Sequence, residues 1–254
     1  MKIATDDIVA KLRSDGYYVG RVQQPVGGQR FVLDMARSLG ELYVPKDCDP
    51  AEPVICTAPK RSRRAAPFDR SEAIGWHGDF ATYEDRPEIS LVYITRPDPR
   101  GGNYGAWRLA SVNRVLERLQ ASDAGHSAFN LLRSERLPFS YAEGEPSRWF
   151  QVIQALPDGN LGIRFYLPSI QRGCIAEYGN VPAHITAALS QLECAADDVG
   201  QVVPTEAGSL LVASNWSALH DRVPQTISRT RPNREALLCF VAKASLLETS
   251  KPHL

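Results

Sequence analysis

Two histidines, one aspartate and one arginine are the residues of this chain whose types and spacing could do chemistry. His77 and Asp79 stand two apart in the stretch GWHGDF. On an extended backbone, residues two apart project from the same face. An imidazole nitrogen and a carboxylate oxygen placed there can hold one metal ion without bending the chain. Alone the pair is weak, because a chain with five histidines yields some H-x-[DE] by accident about half the time.

A third ligand is offered by His220, far downstream in GSLLVASNWSALHDR, directly after an apolar strand. Two histidines and one carboxylate on one face of an octahedron leave three positions open, the pattern of non-haem Fe(II) centres that activate oxygen. Zinc prefers tetrahedral sites with ligand spacings that do not occur here. Oxygen activation needs two further electrons. If 2-oxoglutarate supplies them, a buried cation must hold its distal carboxylate. Arg234 opens the segment REALLCFVAKA and suits that task, since its planar fork binds a carboxylate bidentately and stays charged when desolvated. Arg229 and Arg231 compete for the role.

Strands must carry these ligands, and the pattern supplies them. EISLVYITR, RLPFSYA, RWFQVIQALPDGNLGIRFYL, QVVPTEAGSLLVASN and EALLCFVAKA are rich in β-branched and aromatic residues and are broken by turn signals. Helical spacing marks the segment after Thr5-Asp6-Asp7, the segment QRFVLDMARSLG, the short VNRVLERLQ behind Ser111, and Ala183 to Ala195. Gly40 stands where a left-handed C-terminal cap would end the second of these. From Glu41 to Phe68 the chain reads as irregular. The expectation is a mainly β protein with flanking helices, built as a β-sandwich or jelly roll. One domain covers 1–254: a helix–strand–helix unit at 1–45, the jelly-roll core at 46–245, and a short C-terminal tail.

Composition narrows the partners. Lys+Arg and Asp+Glu balance at 29 each, so no bulk field points to nucleic acid or a membrane. No apolar run approaches a membrane span, and the N-terminus lacks a signal-peptide core. Five scattered cysteines without a C-x-x-C pair read as free thiols in a reducing compartment, which points to the cytoplasm. The basic run Lys60 to Arg64 reads as a solvated loop, with a mobile lid over the site as the functional alternative. The partner expected is a small molecule, and the sequence sets no oligomeric state.

Four features in this order carry a family resemblance: WHGD, RPDPRGG, EAGSLLVASNWSALHDR, and an arginine at H-x13-R spacing. The chain resembles the clavaminate synthase and taurine dioxygenase superfamily of Fe(II)/2-oxoglutarate-dependent oxygenases over about Asp15 to Ala242. The resemblance implies a double-stranded β-helix (jelly-roll) core, iron held by His77, Asp79 and His220, 2-oxoglutarate held by Arg234, and O2 as oxidant. Succinate and carbon dioxide would leave as an unactivated C–H bond is hydroxylated. Clavaminate-synthase-like motifs suggest a small polar metabolite, with a free or modified amino acid leading. Desaturation, cyclisation and a non-catalytic metal- or ligand-binding jelly roll stay open. Halogenating relatives replace the carboxylate ligand with a small residue, so Asp79 disfavours that reaction.

The family often has a threonine after the double glycine, assisting the arginine. Here Tyr104 stands near that position and would have to replace it. Arg222 and Asp221 are candidates for substrate contact, with bracing of their own loop as the competing role. Trp76 and Trp216 read as packing residues, Cys239 as a small buried hydrophobe, and His126, His184 and His253 as surface residues.

Overall fold

The computed structural model describes residues 5–22, 27–46, 48–60 and 66–244. It begins with α1 (Thr5–Asp15), β1 (Tyr17–Arg21), α2 (Gly28–Leu39) and β2 (Glu41–Tyr43), the expected helix–strand–helix order. Gly16 makes the tight turn into β1 with φ 80°, a left-handed conformation that glycine adopts at no steric cost. Gly40 departs from expectation. Its φ of 164° is extended rather than left-handed, and the glycine is required because a Cβ there would overlap the Lys243 carbonyl.

A six-stranded antiparallel sheet dominates, in the order β1-β11-β4-β13-β2. Its centre is β4 (Ile89–Arg96), flanked by β11 (Ser209–Ser214) and β13 (Glu235–Lys243). The short strand β3 (Ile55–Thr57) lies in the segment expected to be irregular and pairs with β13. Alternation along these strands divides their side chains between two cores. Leu210, Val212, Leu237, Cys239 and Val241 pack beneath α1 and α2 with Ile8, Leu12, Val32 and Leu39. Their neighbours Leu211, Ala213, Ala236, Leu238 and Phe240 face the other way, onto Trp107 and Leu109.

Trp107 and Leu109 belong to the second sheet, β10-β5-β12, built from β10 (Gln201–Val203), β5 (Trp107–Ser111) and β12 (Ala218–Arg222). Two hairpins, β6 (Arg136–Phe139) with β7 (Arg148–Gln151) and β8 (Ile153–Ala155) with β9 (Leu161–Ile163), extend the structure. A third core joins them to α3 (Val112–Leu119), α4 (Asp123–Ser134), α5 (Leu167–Tyr178) and α6 (Ala183–Val199). Every strand pairing among the described residues is antiparallel. No helix among them is long and apolar enough to cross a membrane. α4 and α5 lie where the sequence pattern suggested no helix.

Candidate metal and anion site

His220 sits in β12, fully paired to β5 opposite Leu109. The His77 stretch runs along the other side of β12: His77 and His220 exchange both backbone hydrogen bonds, each at 2.9 Å. Directly paired residues on an antiparallel ladder point to the same face. Asp79, two residues along, joins them there. One Asp79 oxygen lies 3.6 Å from His77 Nε2 and the other 3.4 Å from His220 Nε2. Candidate ligand atoms of the three residues all lie within 4.8 Å of one another.

The donor set fits a divalent ion. His77 Nδ1 is 2.8 Å from the Gly75 carbonyl, so that nitrogen donates there and Nε2, on the Asp79 side, is the atom left for a metal ion. His220 Nδ1 is buried without a partner. Burial opposes ionisation of Asp79, but the His220 and His77 rings outweigh it and hold the carboxyl well below its usual range. For His77, burial disfavours the cation, yet the Asp79 hydrogen bond and charge lift the pKa overall. For His220, burial and the neighbouring His77 prevail and lower it. An anionic carboxylate between two imidazoles, all largely shielded from water, is a strong cation seat.

Arg234 opens towards β13 and is only 4% exposed. Its competitors Arg229 and Arg231 are exposed. Burial and the nearby Arg222 bring its pKa down to about 9, against a partial lift from Asp98. Asp98 itself accepts from the backbone N–H groups of Arg100 and Thr226, at 2.9 and 2.6 Å. Among the described residues no hydrogen bond or ion pair engages Arg234, and its Nε is buried without a partner. A buried guanidinium without an anion is costly, and a carboxylate ligand would supply the missing charge.

The other sequence candidates fall elsewhere. The Tyr104 hydroxyl accepts from Arg100 at 2.6 Å, so it does not assist Arg234. Gly105 is the residue that abuts Arg234, where a Cβ would come within 2.7 Å of Cδ. Asp221 uses one oxygen for the N–H groups of Ile74 and Gly75 and the other for Arg108. Arg222 donates to the carbonyls of Val223, Arg70 and Glu72. Both therefore brace the loop that leads into His77. Trp76 packs under Arg108 and donates to Asp197. Cys239 is buried, and His126 and His184 are exposed. Lys60 pairs with Asp69 at 2.6 Å, whereas Arg61, Ser62, Arg63 and Arg64 of the basic run lie outside the described residues, as does His253.

Two features escaped sequence reading. Tyr166 pairs with His77 on the side away from His220, so its ring, 5.8 Å from the imidazole, shares the ligand face. Arg86 and Asn215 grip the peptide of Asp79. Tyr166 and Asn215 reach the site through chain crossings, and Arg86 folds back from beyond the turn that follows Asp79, so none carries a spacing signature.

The profile of the taurine catabolism dioxygenase TauD, TfdA family matches residues 7–238. Several solved structures are similar at low identity. Asparagine oxygenase in complex with Fe(II), 2S,3S-3-hydroxyasparagine and succinate gives a TM-score of 0.75 at 20% identity, over 93% of this chain and 78% of that one. PvcB from Pseudomonas aeruginosa gives 0.69 at 15%, over 94% and 80%. The iron oxygenase OrfP with Fe, succinate and (3S)-hydroxy-L-Arg gives 0.67 at 16%, over 93% and 78%. No curated protein matches the chain.

Proposed function

Because the chain belongs to the TauD, TfdA family of Fe(II)/2-oxoglutarate-dependent oxygenases, we propose that it hydroxylates an aliphatic C–H bond of a free or modified amino acid. Succinate and carbon dioxide are the co-products. On this reading His77, Asp79 and His220 are the iron ligands, Arg234 takes the distal carboxylate of 2-oxoglutarate, and the two larger sheets are the walls of a double-stranded β-helix. The observation that carries it is the meeting of both Nε2 atoms on one Asp79 carboxylate, with an unpaired buried guanidinium as the second fixed charge. The amino-acid substrate is supported by the hydroxylated asparagine and arginine in the structures of asparagine oxygenase and OrfP.

Bound Fe(II), with 2-oxoglutarate and O2, supplies the oxidising power. The chain supplies order. The Gly75 carbonyl holds the His77 proton on Nδ1 and so keeps Nε2 basic. Asp79 stays anionic across the neutral range and fills a coordination position. Arg234 orients the cosubstrate through a charge-assisted bidentate contact, and the loop braced by Asp221 and Arg222 fixes the approach to His77. Tyr166 forms the wall beside His77.

The test is anaerobic protein with Fe(II) and 2-oxoglutarate, which should develop a weak visible charge-transfer band. Admission of air should then release succinate slowly, and faster with the correct member of a panel of amino acids and their conjugates. Folded, iron-loaded protein that shows neither band nor succinate sinks the oxygenase assignment for these residues. Succinate release that no amino acid or conjugate accelerates sinks the substrate class alone.

A further inference from the structure

Behind the ligand-bearing turn lies an arrangement that the metal chemistry does not require on its face. Arg86 is 6% exposed and has no carboxylate within ion-pair distance among the described residues. Its Nε donates to the Asp79 carbonyl at 2.8 Å and its Nη1 to the Ile163 carbonyl at 3.2 Å. Nη2 is buried without a partner. The guanidinium stacks on Trp216 at 4.5 Å, and Arg164 stacks on the same ring at 5.2 Å. Burial and the charge of Arg164 press its pKa well below the usual value. Keeping a cation here is expensive, so its geometry must return something.

The opposite end of the same residue is held as well. Asp79 N–H donates to Asn215 Oδ1 at 3.0 Å. Asn215 is fully buried and is itself fixed by donating to the Pro87 carbonyl and to Ser90, both at 3.0 Å. Side chains from two separated parts of the chain therefore grip the N–H and the C=O of a single ligand residue.

Two irregularities surround this grip. Gly78, between the two ligands, has no left-handed torsion, yet a Cβ there would overlap Arg86 Nη2 and come within 3.0 Å of the Asn215 carbonyl. Space for the guanidinium, not backbone conformation, demands the glycine. Phe80, the next residue after Asp79, has φ 56°, the single positive φ among described non-glycine residues. For a bulky side chain that conformation costs about 1–2 kcal/mol and persists only when its surroundings impose it. Tyr43, Tyr83 and Phe240 pack edge-on around its ring.

We infer that Arg86 and Asn215 are positioning residues that clamp the Asp79 peptide from both ends and so fix the direction in which its carboxylate meets the metal. Gly78 gives the clamp room, and the aromatic cage holds Phe80 in the turn that the clamp requires. This rests on Asp79 being a metal ligand, as proposed above, and on nothing about the substrate.

The experiment uses metal alone. Fe(II), or Co(II) as a spectroscopic probe, is titrated anaerobically into the wild type, Arg86→Met, Arg86→Lys and Asn215→Ser, with folding checked by circular dichroism. Loss of the clamp should weaken metal affinity roughly 10- to 100-fold in Arg86→Met, the usual scale for outer partners of metal ligands. Arg86→Lys, which keeps the charge and one donor, should recover part of it. The Co(II) absorption should broaden or shift in the folded variants, a change that a merely structural role would not produce. Folded Arg86→Met with affinity within twofold of wild type and an unchanged Co(II) spectrum overturns the inference. Should the methionine variant not fold, Asn215→Ser and Arg86→Lys decide it by the same two readings. A wild type that binds neither metal instead overturns the ligand assignment itself.

Discussion

Arg222 and Arg234 are a matched pair with opposite engagements. They are 5% and 4% exposed, and burial lowers their pKa values to about 10 and about 9. Arg234 lies near enough to Arg222 to feel its charge. Arg222 donates to three carbonyls at 2.8–2.9 Å, tying β12 to the loop at Arg70 and Glu72. Arg234 donates to nothing among the described residues. Burial of a cation therefore does not by itself mark a ligand site. The destination of its donors separates them: backbone oxygens make the first a brace, and their absence leaves the second free for the role proposed for it.

The widest separation between the two comes from Arg234→Met. Removing one partner of a buried, hydrogen-bonded charge pair costs about 2–5 kcal/mol, so the 2-oxoglutarate KM should rise from roughly 30-fold to several thousand-fold. Stability should move the other way. The folded pKa of about 9 lies well below that of a free guanidinium, so folding disfavours the protonated form. That cost is fully present below pH 9 and fades as the pH climbs towards the free value. The unliganded variant should melt no lower than wild type at pH 7, with any gain shrinking above pH 9. A large fall in melting temperature with an unchanged KM would make Arg234 a second brace.

Arg222→Met should show the reverse. The Arg70 carbonyl keeps a donor in Gln225 Nε2, but the Val223 and Glu72 carbonyls lose theirs. Groups left unsatisfied cost about 1–3 kcal/mol each when water cannot reach them. A total near 3 kcal/mol lowers the melting temperature by roughly 6–12 °C in a domain of this size. At temperatures where the variant is folded, the 2-oxoglutarate KM should stay within about threefold of wild type. Thermal denaturation and steady-state kinetics on the same preparations separate the two arginines.

The sequence made parts of this legible and hid others for physical reasons. The candidate ligands could be read because extended backbone brings residues two apart to one face, although His77 forms only isolated bridges and Asp79 stands in a turn rather than a strand. REALLCFVAKA could be read because it is a plain apolar strand with Arg234 at its entrance. SLLVAS and EALLCFVAK are near-continuous apolar runs that fit strands buried on both faces, but the division of their side chains between two cores shows only in the fold. GIRFYL is rich in β-formers and reads as the end of a strand, but its last residue, Leu167, is the first of α5. The overlooked signals were Pro168 in the first helical turn and the left-handed cap at Gly179. α4 is short of apolar residues, and its Ser122 cap, which accepts from Gly125 N–H, was its clearest mark. What no local pattern could supply was the destination of side chains. Asp221 and Arg222 adjoin a ligand in sequence and turn to the loop, whereas Arg86 and Asn215 look unrelated and meet at Asp79.

Tyr104 gives the smallest expected effect and the finest test of the comparison. The motif position suggested a hydroxyl beside Arg234, which would have made the seat partly occupied by the protein itself. Instead that hydroxyl bonds to Arg100, whose guanidinium also lies 4.1 Å from the ring centroid. Gly105 takes the place against Arg234. Tyr104→Phe removes an exposed hydrogen bond and keeps the stacking surface, so stability should change by less than about 1 kcal/mol. The 2-oxoglutarate KM should change by less than about twofold. A tenfold rise, about 1.4 kcal/mol, would mean that Tyr104 reaches the cosubstrate after all. Arg234 would then share its carboxylate with a second protein donor and would not be a guanidinium working alone.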